Sequence, residues 1–168
     1  MITGDYVRMM ARYGAWQNAA HLEACAGLSA EALAMDRGAF FGSIEATANH
    51  LLWGDKIWLS RFAGTPGPEK PGPESVRETA NWAEFEAARR AVDAAIAAWA
   101  HEVADEDLAG DHMWFSGVLG REITKPMALC VTHFFNHGTH HRGQMHAMLT
   151  AAGVKTADTD IFVMPDAP

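Results

Sequence analysis

With 168 residues, 49% of them hydrophobic and 20% charged, the chain suits one packed domain and not a disordered segment. Its 13 basic and 21 acidic residues give a formal charge of -8, which argues against a phosphate-backbone binder, so no nucleic-acid partner is expected. No apolar run approaches the roughly 20 residues that span a bilayer, and the first residues lack the basic-then-apolar pattern of a signal peptide. Cys25 and Cys130 fall in helical segments and read as reduced core residues. A cytoplasmic protein without a membrane partner is the expectation.

Four segments carry helical periodicity. In the first, residues 4–26, Tyr6, Met9, Tyr13, Trp16 and Ala20 recur at three-to-four-residue intervals, and Gly27 stands at the expected stop. The second, residues 43–63, opens on the N-cap residue Ser43 and closes at Gly64, with a stripe of Ile44, Ala48, Leu51, Trp58 and Phe62. Asp55 falls inside that stripe, where a carboxylate is costly without a buried partner. Residues 65–73, with four prolines and two glycines, form a surface loop. The third helix, 82–103, has Asn81 and Glu84 placed as a capping box and a stripe of Trp82, Phe85, Arg89, Val92, Ile96, Trp99 and Val103. Residues 111–125 break the helical pattern, and 113–119 read as a short hairpin or structured loop. The fourth helix covers 126–152, with Pro126 in its first turn and Gly153 beyond its end. An extended tail, 154–168, follows, in which Ile161, Phe162, Val163 and Met164 are apolar enough to dock on the body. The expected fold is all-α: a four-helix bundle with a hairpin or structured loop before the last helix.

Histidine is the compositional anomaly. His133, His137, His140 and His141 lie within nine residues, where the chain's own frequency of 9 in 168 would place about half of one. With Gln144 they occupy an arc of about 100° on one face of the fourth helix, whereas His146 points the other way, toward the surface. Residues four apart stack one above the other, so His137 and His141 can aim their imidazoles at one point. That is the spacing of H-E-x-x-H zinc helices. No glutamate follows His137, so the metalloprotease base is missing.

A catalytic ion usually takes three protein ligands and leaves a position for water or substrate. His50, at the margin of the second helix's stripe, is the best third ligand, with Gly54 one turn later leaving space beside it. His133 and His140 share the arc and can substitute as ligands, supply a fourth, or line the pocket. Arg142 is a candidate partner for Asp55, and Gln144 a candidate for the site wall. His21, His101 and His112 have no partner spacing and read as solvated.

The string Asn136-His137-Gly138-Thr139-His140-His141-Arg142-Gly143-Gln144 resembles the DinB/YfiT-like family, a bacterial group of metal-dependent proteins. So do Asn49-His50-Leu51-Leu52-Trp53-Gly54-Asp55 with Trp58-Leu59, and Tyr13, Trp16 and Asn18 in the first helix. The turn before the fourth helix and Asp160 in the tail extend the likeness to nearly the whole chain. The resemblance implies a single bundle domain with an unusual crossover order, often a homodimer. It also implies a three-histidine site for zinc, nickel or a similar ion, mapping to His50, His137 and His141. Some relatives are S-transferases or isomerases working through glutathione, mycothiol or bacillithiol, and certain mycothiol-dependent members have Glu where this chain has His137.

The leading expectation is a metal-dependent transferase that activates a low-molecular-weight thiol against a small electrophilic substrate. One alternative is a hydrolase using metal-bound hydroxide. The other is a non-catalytic metal-binding or stress-associated protein.

Overall fold

The structure, a computed structural model, describes residues 2–166, so Met1 and the end of the tail, Ala167 and Pro168, lie outside the described residues. Four long helices dominate it. Helix α1, Gly4–Cys25, starts where the Thr3 hydroxyl accepts the Tyr6 N–H at 3.2 Å. After a five-residue helix, α2 (Ala30–Ala34), comes α3, Ile44–Ala63, capped by Ser43 and closed by Gly64 at φ 65. That left-handed conformation is open to glycine and costly for other residues. Helix α4, Trp82–Glu102, has the expected cap: Asn81 Oδ1 accepts the Glu84 N–H at 3.0 Å, and Glu84 reaches back to the Ala80 N–H at 3.1 Å. Helix α5 is Met127–Ala151. No helix among the described residues is long and apolar enough to cross a membrane.

Three connecting segments differ from the sequence reading. Helix α2 was not anticipated, because a helix of little more than one turn shows no stripe; its only sign is Ser29, whose hydroxyl accepts the Ala32 N–H. The proline-rich loop continues into a 3-10 turn, Gly72–Arg77, which packs on α3. The expected hairpin is present as β1 (Asp111–Ser116) and β2 (Arg121–Pro126), antiparallel, with Trp114 opposite Ile123. Val118 and Leu119 lie in its exposed turn and not in a strand.

The helices pack α3 against α5, α1 against α4 and α5, and α3 against α4. Their buried faces form two apolar clusters. One holds Val7, Leu59, Ile96, Val131 and Phe134; the other holds Leu22, Leu52, Phe85, Met145 and Leu149. On every long helix a buried polar residue falls between its contributions to the two clusters: Asn18 on α1, Asp55 on α3, Arg89 on α4 and Arg142 on α5. The tail lies along α1 by a different device from the one expected. Ile161, Phe162 and Val163 stay exposed, Phe162 at 84%. Backbone carbonyls anchor the segment instead, accepting from Tyr13 (Thr159 O, 2.8 Å), Gln17 (Asp158 O, 3.0 Å) and Arg12 (Pro165 O, 2.8 Å).

Candidate metal centre

The α3–α5 contact brings together the three histidines singled out from sequence. His137 Nε2 lies 3.3 Å from His50 Nε2 and 3.1 Å from His141 Nε2. One ligand atom from each falls within 4.8 Å of the others, and among the described residues this trio is the one group with spacing that can hold a metal ion. Gly54 makes the approach possible, though not as expected. The space it leaves is taken by His137: a Cβ at position 54 would stand 2.7 Å from His137 Cε1.

Two side chains fix how the rings point. Gln144 Oε1 accepts from His141 Nδ1 at 2.8 Å, so the His141 proton sits on Nδ1 and its Nε2 lone pair faces the shared point. The buried Ser75 hydroxyl, delivered by the 3-10 turn, meets His50 Nδ1 at 2.9 Å. Phe41 covers the same rings, with centroids 4.1 Å from His50 and 5.6 Å from His141. Neither Ser75 nor Phe41 was found from sequence. Both lie in connecting segments, where no periodicity reports which side chain turns inward.

Burial disfavours the charged imidazolium, and the neighbouring rings add to the effect. His50 falls to about 4 and His137 to about 3, burial being the larger cause in each; His141 is also lowered by burial. All three are therefore neutral bases at neutral pH, the form in which imidazole binds metals.

The remaining candidates sit around the trio. His133 is exposed, its ring 5.2 Å from Trp58 and 5.7 Å from His137. His140 is exposed beside His141, with centroids 4.9 Å apart. Neither is in the group whose ligand atoms converge. Asp55 does have a buried partner, but the side chain that bonds it is Arg89, at 2.7 Å, and not Arg142. Arg89 also lies 2.8 Å from Asp93, which accepts from Asn18 at 2.8 Å.

Arg142 is buried against Gly138, where a Cβ would meet its Nη1 at 2.9 Å, and it lies 5.6 Å from the Tyr13 ring centroid. A cavity of about 20 Å³ separates it from Asp55 and Asp93, room for one water. Gly138 thus accommodates a guanidinium. His21 corrects the sequence reading too: it is 6% exposed, not solvated, and burial lowers it to about 4.

The family model described as DinB family matches residues 1–167 of the chain. No curated protein and no solved structure matches it.

Proposed function

The chain belongs to the DinB family, and from that premise we propose that His50, His137 and His141 hold one divalent transition-metal ion, zinc or nickel, with which the protein activates a low-molecular-weight thiol against a small electrophile. One observation carries the metal reading: three neutral imidazoles aim ring nitrogens at one point, with no carboxylate among them. With the His141 proton on Nδ1, its Nε2 presents a lone pair toward His137 Nε2 at 3.1 Å, the form a metal ligand needs. The 3.1 and 3.3 Å separations fit, since two nitrogens on a tetrahedral zinc stand roughly 3.3 Å apart when each bond is about 2.0–2.1 Å. Imidazole donors suit nickel as well.

A bound dication supplies the positive charge that lets a thiol ionise at neutral pH. The chain's own residues do the rest. Gln144 and Ser75 hold the rings in register, and Phe41 limits water on their faces. No hydrogen bond links a carboxylate to the trio among the described residues. A thiol, whose unperturbed pKa is about 8.5, depends less on such a base than water does, and this favours the thiol over hydrolysis. In the reaction the S–H bond breaks and its proton passes to solvent. The sulfur pair forms a bond to the electrophilic carbon, and the leaving group departs with its bonding pair.

The order of the apolar clusters along the helices supports a finer reading of the fold. Helices α1 and α5 run from the first cluster to the second, α3 and α4 the reverse, as in a four-helix bundle whose 64–81 connection is the long crossover.

The test of function is turnover of 1-chloro-2,4-dinitrobenzene by metal-loaded protein with glutathione, mycothiol or bacillithiol in turn. Product that requires both metal and one of these thiols is expected. Loss of chloride without thiol contradicts the transferase reading.

A further inference from the structure

A groove of about 750 Å³ runs beside the metal centre, between the face of α3, the proline-rich loop and the tip of the hairpin. Its size falls in the range of small-molecule sites, about 300–1,000 Å³. Trp53, Ile57, Phe115 and Val118 give it an apolar lining, and its charged members are Arg61 and Lys70, with no Asp or Glu. In a chain of net charge -8 this local balance runs against the whole.

Arg61 is the telling residue. Its guanidinium is half-buried, 4.6 Å from the Trp58 ring centroid and 5.4 Å from that of Trp114. Among the described residues it forms no ion pair. A guanidinium partly withdrawn from water without a counter-charge is costly, and an incoming anion would offset that cost. The groove also shares walls with the metal centre. Trp53, which lines the groove, lies nearly parallel to His50, at 17° and 6.3 Å between centroids, and the Trp58 ring beneath Arg61 touches His133, which in turn borders His137. The Trp53 indole is pinned where its N–H donates to the Lys70 carbonyl at 2.7 Å, so this wall is preformed.

We propose that this groove binds a small organic anion with a flat apolar body, its carboxylate or sulfonate on Arg61 and its body along Trp53 and the hairpin tip. As the substrate groove of the metal centre it rests on the function proposed above; as an anion site it stands on its own geometry.

Calorimetric titration of the full-length, metal-loaded protein with 2-naphthoate and with neutral 2-naphthylmethanol tests it. One naphthoate site is expected, with the alcohol weaker by about tenfold or more, since a hydrogen bond to a charged group carries roughly that factor. Arg61→Gln should bring naphthoate down to the affinity of the alcohol. Val118→Glu, at a tip position 90% exposed, should weaken naphthoate by adding a like charge. Equal affinities for the two probes, or wild-type binding of naphthoate by Arg61→Gln, would overturn the proposal. So would naphthoate binding that disappears in His137→Ala but survives in Arg61→Gln, because the anion would then sit on the metal. Metal content measured on the same samples separates the two readings. Metal-replete protein without anion selectivity removes the groove alone, and naphthoate binding at Arg61 without metal removes the metal centre alone.

Discussion

Two polar clusters lie close together in this molecule, and they are built on opposite principles. The central one is balanced and closed: Asp55 and Asp93 against Arg89 and Arg142, with Asn18 completing the bonds and room for a single water. The other, between α3 and α5, gathers three bases of the same kind with ring nitrogens converging and no acid beside them. The first sets base against acid within the fold. On the function proposed above, the second is completed by a cation brought from outside. The trio without an acid, and not the ion-paired belt, is therefore the candidate site.

Substitutions in the two clusters should separate them. Arg89→Met leaves the buried Asp55 and the half-buried Asp93 without their cation, and loss of one partner of a buried pair costs about 3–5 kcal/mol. Chemical denaturation should show that loss in metal-free protein, whereas an unchanged midpoint would remove the distinction. Gly54→Ala comes next: its methyl would displace the His137 ring, so metal affinity should collapse while the helix itself gains. Competition against a chromogenic chelator reads this effect, and wild-type affinity would mean that His137 does not bind the ion. Ser75→Ala and Gln144→Leu remove only the groups that orient His50 and His141, and each should weaken metal binding by about 10–100-fold with the fold retained.

The same burial sets the pH dependence of the metal-free protein. Folded His21 and His50 titrate at about 4 and His137 at about 3, below the unfolded value of about 6.5. The unfolded chain therefore takes up protons first as the pH falls. Stability from these groups is full above about 6.5 and is lost progressively toward 4. Thermal melts between pH 7 and 5 should show a falling midpoint, and a flat profile would contradict the burial of these rings.

Much of this arrangement could be read from the sequence, and the part that could not has a common cause. Periodicity places residues on faces of single helices, so His137 and His141 four apart, His50 at a stripe margin and the caps at Ser43 and Asn81 were all accessible. Pairing between helices is not encoded in any one period. Asp55 and Arg89 each interrupt an apolar stripe, and their opposite charges are the signal that matches them; Arg142 carries the same charge, and helix periodicity alone does not choose between the two. Ser75 and Phe41 sit in connecting segments, whose path follows from packing and not from spacing. The tail was misjudged for a related reason: its apolar residues suggested docking, but its carbonyls carry the contact.

The most direct measurement is metal content per chain by mass spectrometry, for untagged wild type, His137→Ala, His141→Ala and His146→Ala. His146 lies on the same helix but bonds Thr156 in the tail, so it controls for the helix without touching the site. One equivalent in wild type and in His146→Ala, with little or none in the other two, is the predicted result. Equal metal content in all four proteins would contradict the account.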